Sequence, residues 1–122
     1  MIGYTIFGTN DLARAGRFYD ALLAELGAKR AMDTETFTAW AVAPNMPMVS
    51  VAKPFDGKPA TVGNGVMVAL AAGSRAQVDS IYRKAMELGA TDEGPPGPRG
   101  DNFYAGYFRD LDGNKLNAFF MG

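Results

Sequence analysis

The sequence has 122 residues, 48% hydrophobic and 20% charged, which suits one ordinary globular core. Its 12 Lys and Arg residues nearly balance 13 Asp and Glu residues and form no basic stripe, which argues against a nucleic-acid partner. The absence of cysteine and histidine excludes disulfides, thiolate catalysis and the commonest ligands of Zn, Fe, Ni and Cu. No run approaches the roughly 20 apolar residues of a membrane span, and the N-terminus does not resemble a secretory signal. We therefore expect a cytoplasmic protein with no membrane partner.

The first half of the chain predicts the element order βαβββ. Alternating residues from Ile2 to Gly8 fit a strand covered on both sides. Asn10 can cap a helix whose apolar stripe runs from Leu12 to Leu26, and Gly27 supplies a left-handed stop. Three short strands follow, near residues 28–33, 37–43 and 46–53. Pro47 places the last of them at an edge or gives it an irregular start.

The second half repeats this pattern after a turn-rich linker. Residues 66–72 predict an apolar strand, and Ser74 with Gln77 forms a capping box for the next helix. A Pro/Gly segment at residues 94–101 then interrupts the chain before the final strands, which fall at residues 102–109 and 115–121 around a turn at residues 112–114. We therefore predict one domain, with module one at about 1–53, a linker at 54–65 and module two at about 66–122.

Three segments together point to a family. They are Gly8-Thr9-Asn10-Asp11-Leu12 leading into Phe18-Tyr19-Asp20, the linker at residues 57–65, and the ending Arg109-Asp110-Leu111-Asp112-Gly113-Asn114-Lys115-Leu116. In this order they resemble the vicinal oxygen chelate superfamily, which contains glyoxalase I, fosfomycin and bleomycin resistance proteins and extradiol dioxygenases. The resemblance covers essentially the whole chain. It implies an α+β fold, in which two βαβββ modules form a curled mixed sheet around a cavity with a divalent metal at its floor.

The resemblance also shows where the chain departs from the family. The family's metal ligands are two histidines and a glutamate, and their places fall on Tyr4, Met67 and Asn117. A phenol binds metal only when ionised, a thioether is soft and a neutral amide oxygen is a weak ligand. We therefore predict no metal and no other cofactor.

A cavity wall can be predicted from the last hairpin. If Asp112-Gly113 forms a tight tip, Phe108 lies opposite Asn117, while a longer loop shifts this register by one or two residues. Arg99, in the Pro/Gly segment, is then an anion anchor at the mouth or an ordinary surface charge. The predicted ligand site consists of Tyr4, Met67, Arg99, Tyr104, Phe108, Asn117 and Phe119. The alternative is that these side chains only fill the core.

Two functions follow, and the sequence names no reaction. One is a metal-free protein that sequesters a small organic ligand, aromatic or anionic, as the bleomycin resistance branch does. The other is a glyoxalase-like lyase or isomerase, or a dioxygenase-related enzyme, with an atypical or absent metal site, where Tyr4 is a candidate acid or base. We expect a homodimer, because the family's modules pair across subunits and the strand at residues 46–53 would need covering at an edge. Trp40 is predicted to anchor a core or an interface rather than a ligand.

Overall fold

The computed structural model describes residues 1–122, which form two compact units, residues 1–62 and 63–122. Both units have the predicted order βαβββ. The first contains β1 (Tyr4–Gly8), α1 (Leu12–Ala24), β2 (Lys29–Asp33), β3 (Phe37–Ala41) and β4 (Met48–Ala52). The second contains β5 (Val68–Ala71), α2 (Arg75–Glu87), β6 (Thr91–Pro98), β7 (Tyr104–Arg109) and β8 (Lys115–Phe120). Neither 13-residue helix is long and apolar enough to cross a membrane.

The first unit builds a four-stranded mixed sheet in the order β1-β4-β3-β2. Strands β1 and β4 run parallel, and the other two pairings are antiparallel. Because β4 is an interior strand, the prediction that it lies at an edge is wrong. Pro47 precedes Met48, the first residue of β4, so its missing N–H removes no hydrogen bond from the ladder.

Helix α1 is set by its ends and by one apolar face. Asp11, one residue after the predicted Asn10, caps it by accepting a hydrogen bond from Arg14 N at 3.0 Å. Gly27 ends the helix region with a φ of 77°, as predicted, because a glycine has no Cβ to clash in this left-handed conformation. The buried positions follow one helical stripe and comprise Ala15, Gly16, Phe18, Tyr19, Leu22 and Leu23.

An aromatic cluster joins this helix to its sheet. The ring of Tyr19 lies 6.2 Å from that of Phe7 on β1 and 5.6 Å from that of Trp40 on β3. Trp40 is 1% exposed, and its indole N–H donates to Asp20 Oδ1 at 2.8 Å. The prediction that Trp40 anchors a core is therefore confirmed.

The second unit repeats the topology with a core that is mostly aliphatic and includes one fully buried aromatic ring, Phe108. Its sheet has the order β5-β8-β7-β6, with β5 and β8 parallel. The predicted capping box is present in part: Gln77 N donates to Ser74 Oγ at 3.1 Å, whereas Gln77 Oε1 accepts from Gly73 N at 2.6 Å. Side chains that are fully buried in this unit include Val78, Ile81, Ala85, Phe108 and Leu116.

Strand β6 lies where the sequence analysis predicted an interruption of the chain. Most of the Pro/Gly segment predicted to interrupt the chain belongs to this eight-residue strand, which pairs with β7 at the edge of the sheet. The pairing shifts register between Asp92 and Gly94 and again between Gly94 and Gly97. Prolines are tolerated in such a strand because an edge position and bulges leave N–H groups outside the ladder.

The hairpin between β7 and β8 also differs from the tight tip considered above. Asp110 N donates to Asn114 O at 2.9 Å, and Gly113 adopts a φ of 92°. The Asp110 carboxylate closes the loop by accepting from the backbone N–H groups of Asp112 and Asn114, both at 2.9 Å. This longer loop shifts the register by one residue, the alternative that the sequence analysis allowed.

Candidate ligand-binding site

A groove of about 1130 Å³ opens on the face of the first sheet that points away from α1. The strand alternation produces it: Tyr4 and Ile6 lie on this face, whereas Phe7 between them packs on the helix side against Tyr19. The segment after β4, residues 53–61, forms another wall. The apolar lining includes Tyr4, Ile6, Met32, Phe37, Met48 and Phe55.

The wall segment is fixed to the start of the unit. Asn10 Oδ1 accepts from Ala60 N at 2.7 Å, and its Nδ2 donates to Ala60 O at 3.3 Å. Gly8 lets the segment pass closely, because a Cβ at this position would lie only 3.1 Å from the Ala60 Cβ. Asn10, predicted as a helix cap, thus anchors a segment that was predicted as a linker.

The groove carries few polar groups. Ser50 is 1% exposed on its floor, while Tyr4 is 61% exposed and Phe55 is fully exposed. Lys53 and Asp56 add one charge of each sign to the lining, and Lys53 makes no ion pair. An apolar cleft with a few charged and hydroxyl groups is the usual chemistry of an organic ligand site. Of the seven residues predicted as a ligand site, only Tyr4 belongs to this groove.

In the second unit, the predicted site residues Tyr104 and Phe108 lie on the opposite face of the sheet from Asn117. Asn117 pairs with Tyr107, not Phe108, so the tight-hairpin register is wrong by one residue. A Cβ on Gly106 would meet Tyr82 of α2 at 3.2 Å, so Gly106 and the residues two positions away, Tyr104 and Phe108, lie on the helix side. Phe108 is fully buried there, and its side chain does not share a face with Asn117.

Asn117 is the polar residue of greatest interest on the opposite face. It is 2% exposed, and its Oδ1 atom is buried without a hydrogen-bond partner. An unpaired buried carbonyl oxygen is unfavourable, costing about 1–3 kcal/mol. No protein group supplies the partner that the sequence analysis expected for this amide, so the Oδ1 atom can still accept a hydrogen bond.

Arg99 lies beside an aromatic residue that the sequence analysis did not select. Its guanidinium carbon is 5.6 Å from the ring centre of Tyr107, and its Nη2 donates to Pro95 O at 2.6 Å. The ammonium of Lys115 lies 5.7 Å from the same ring. Lys115 lies two residues before Asn117 on β8 and so shares its face, and Tyr107 joins this face once the hairpin loop is lengthened by one residue. This alternation is the signal that would have found both residues.

Two predicted apolar residues remain. Met67 directly precedes β5 and is 40% exposed. Phe119 pairs with Ala105, which places it on the same face as Tyr107, and its ring stacks on Phe103 with centres 5.7 Å apart.

Tyr104 has a different role from the predicted one. Its hydroxyl donates to Asp79 of α2 at 2.6 Å, and this hydrogen bond raises the pKa of the Tyr104 phenol. Tyr82, also on α2, donates to Asp92 at 2.7 Å. Burial and then this hydrogen bond raise the pKa of Tyr82 to about 12. Both phenols are therefore held in the neutral, donating form at the surface between α2 and its sheet.

The residues do not fit the divalent metal that the family resemblance implies. No group of three or more Asp and Glu side chains converges where it could hold an ion, and the chain has no histidine or cysteine. Asn117 at the family position offers a neutral amide oxygen, and Met67 offers a thioether. Such donors lack the charge and basicity that hold Zn, Ni, Mn or Fe(II).

Comparison with known proteins extends the likeness to the whole chain. A glyoxalase/bleomycin resistance protein from Albidiferax ferrireducens is 37% identical, with a TM-score of 0.90, over 98% of this chain and 97% of that one. Lactoylglutathione lyase from Agrobacterium tumefaciens is 20% identical, with a TM-score of 0.72, over 98% of this chain and 92% of that one. A fosfomycin resistance protein from Mesorhizobium loti is 18% identical, with a TM-score of 0.70, over 98% of this chain and 90% of that one. The last two share the fold alone.

No curated protein matches the sequence. The profile of the Glyoxalase/Bleomycin resistance protein/Dioxygenase superfamily, by contrast, matches residues 1–118. With both βαβββ units in place and a relative at 37% identity, the chain belongs to the Glyoxalase/Bleomycin resistance protein/Dioxygenase superfamily.

Proposed function

We propose that this protein binds a small, partly aromatic organic molecule in the groove of its first unit and does so without a metal. The observation that carries the proposal is the groove itself, a volume of about 1130 Å³ on a sheet face that no helix of the unit covers. Ligand sites for drug-sized molecules span roughly 300–1,000 Å³. The space is therefore sufficient for such a molecule.

The lining supports an apolar ligand with a polar end. Ile6 and Met48 offer aliphatic contact, and Phe37 and Phe55 offer aromatic contact. Burial of apolar area is worth about 25 cal/mol per Å², whereas the unpaired Lys53 gives direction by attracting an acidic group. Sequestration of such a ligand is the function that this set of contacts favours over a reaction.

A ligand screen with a matched pair of variants tests the proposal. Ile6 and Ile2 are 56% and 57% exposed, but only Ile6 lines the groove. A ligand at a hundredfold excess over its Kd should stabilise the protein by about 2.7 kcal/mol, which raises the Tm by several degrees. Ile6→Glu should abolish that shift and Ile2→Glu should keep it. Equal loss in both variants, or no stabilising metabolite in a broad screen, would overturn the proposal.

Metal independence is tested separately. Untagged protein should contain no stoichiometric transition metal by elemental analysis, because it has no imidazole or thiolate to hold one. The thermal shift produced by a groove ligand should be the same with and without EDTA. One tightly held Zn, Ni, Mn or Fe per chain after dialysis against a chelator would contradict this part.

We also propose a homodimer, on different grounds from the edge strand considered in the sequence analysis. The first unit leaves Val42, Met46 and Phe55 between 48% and 108% exposed, and exposed apolar side chains of this size favour association. Light scattering at micromolar concentration should give about twice the chain mass of 13.0 kDa. A mass of one chain there would refute it. The cytoplasmic location stays a prediction.

A further inference from the structure

We infer that the second unit holds a binding site for a small oxyanion, a carboxylate or phosphate group, at Arg99, Tyr107 and Lys115. The inference goes beyond the groove of the first unit, since every residue that carries it lies in the second. It begins with the two cations that share one ring, Arg99 at 5.6 Å and Lys115 at 5.7 Å from the centre of Tyr107.

Neither cation is neutralised by the protein. Arg99 and Lys115 form no salt bridge, whereas the neighbouring Arg109 pairs with Glu93 at 2.8 Å. Two like charges gathered at one ring without a carboxylate repel each other, and a bound anion would remove that repulsion. The Tyr107 hydroxyl has no protein partner and adds a neutral donor on the ring that both cations contact.

The arginine is held in place rather than free. Its Nη2 donates to Pro95 O at 2.6 Å and its Nη1 to Pro98 O at 3.4 Å. The remaining N–H groups of the guanidinium have no acceptor. A side chain that is already ordered loses less entropy when a ligand binds, so this arrangement favours anion binding.

Strand β6 is shaped around the guanidinium. A Cβ on Gly97 would lie 3.1 Å from Arg99 Nη1, and a Cβ on Gly94 would lie 3.4 Å from Nη2. Both glycines stand at the register shifts of β6, where the strand departs from regular pairing with β7. The bulges and glycines that made this segment resemble a loop in the sequence therefore make room for one arginine.

Asn117 provides the second, independent observation. It lies directly opposite Tyr107 in the ladder, and its unpaired Oδ1 is a buried acceptor. Directly opposite residues place their Cβ atoms about 4.5–5.5 Å apart. A ligand with a hydroxyl or N–H beside its acidic group would satisfy both the cations and this amide, which points to small hydroxy or amino acids and their phosphate analogues.

The test uses the intact chain and simple anions. Inorganic phosphate, acetate and glycolate are titrated at constant ionic strength against chloride, and the amide signals of Gly94, Gly97, Arg99 and residues 115–117 are followed by NMR. Saturable shifts at these amides are expected, with glycolate binding more tightly than acetate because only glycolate carries a hydroxyl. Phosphate binding with no carboxylate binding would identify a phosphate site, and the reverse a carboxylate site; either supports the inference.

Variants locate the site. Arg99→Gln and Lys115→Gln should each weaken the anion by about tenfold or more, as expected for loss of one charge-assisted contact. Arg83→Gln, at an exposed arginine of α2 on the other side of the sheet from Tyr107, is the matched control and should change nothing. Gly97→Ala keeps all charges but displaces the guanidinium, so it should weaken binding as well. Absence of saturable shifts, or equal loss in Arg83→Gln, would overturn the inference even where the groove binds its ligand.

Discussion

The two units share one topology and differ in what fills it. Each sheet pairs its first strand in parallel with its last and covers one face with a 13-residue helix. The first helix reaches its sheet through an aromatic cluster around Tyr19, and the second through aliphatic side chains such as Ile81. The faces away from the helices differ too: an apolar groove in the first unit, and two cations around Tyr107 in the second. A repeated backbone thus fixes which positions face outward, while the residues at those positions set the chemistry.

The largest difference between the units should appear in core stability. Trp40→Ala removes a side chain that is 1% exposed and also leaves Asp20 without its indole donor. We expect it to lower the free energy of unfolding by about 4–5 kcal/mol, against about 2–4 kcal/mol for Ile81→Ala in the second unit. Chemical denaturation followed by far-UV circular dichroism measures both free energies of unfolding. Tryptophan fluorescence cannot be used for the comparison, because Trp40→Ala removes the only tryptophan.

If Trp40→Ala does not fold, Trp40→Phe keeps an aromatic ring and removes the indole hydrogen bond with a smaller loss of buried volume, at a cost of about 1–2 kcal/mol. A smaller cost for Trp40→Ala than for Ile81→Ala would show that the aromatic cluster is not the stronger core. Trp40 lies on the helix side of β3, so its fluorescence reports on this core and not directly on the groove.

Sequence reasoning succeeded where local signals decide the structure. The Ser74 and Gln77 pair and the apolar stripes placed both helices, and the repeated order of a strand, a capped helix and further strands predicted two similar units. It failed at β6, because prolines and glycines normally mark loops, and edge pairing that rescues such a strand is a tertiary effect.

The candidate site was less predictable than the fold. One extra loop residue at the last hairpin changed the partner of Asn117 from Phe108 to Tyr107, since strand side chains alternate with a period of two. The groove was missed because its wall, residues 53–61, is held by Asn10 about fifty positions away, a contact that leaves no trace in local periodicity. Arg99 and Asn117 were selected for their charge and their amide, which residue type alone shows, and their part in a site stays a prediction.

A second contrast concerns acid stability. In the first unit Asp20 accepts hydrogen bonds from Arg30 and from the Trp40 indole, and the Arg30 contact above all lowers the pKa of its carboxyl. A lowered pKa contributes stability that is present above the unfolded value of 3.8 and is lost as the pH falls through the folded value. Asp20→Asn should therefore cost about 1 kcal/mol at neutral pH, after allowance for exposure of the Arg30 pair, and progressively less as the pH falls below 3.8.

Urea denaturation of wild type and Asp20→Asn between neutral and acid pH measures the difference in their free energies of unfolding. Glu35→Gln, at an exposed carboxylate of the same unit, is the control and should leave the pH dependence unchanged. A difference in the free energy of unfolding between wild type and Asp20→Asn that is the same at all pH values would mean that the charge of Asp20 does not stabilise the fold.

The smallest expected effect lies at alkaline pH and belongs to the second unit. Tyr82 and Tyr104 each donate to a carboxylate, and the pKa of Tyr82 is raised to about 12, with burial as the first cause and Asp92 as the second. A group whose pKa is raised on folding contributes stability that is complete below its unfolded pKa of 10.0 and is lost as the pH rises through the folded value. Ultraviolet titration of the five tyrosines should therefore show a late phase beyond the ordinary phenol range.

Asp92→Asn removes the charge but keeps an acceptor oxygen, so it should move part of that late phase to lower pH, while Asp56→Asn in the first unit should not. If the late phase is absent, or survives unchanged in Asp92→Asn, the Asp92 carboxylate does not hold Tyr82 in its neutral form. The two units would then differ in their cores but not in their response to alkaline pH.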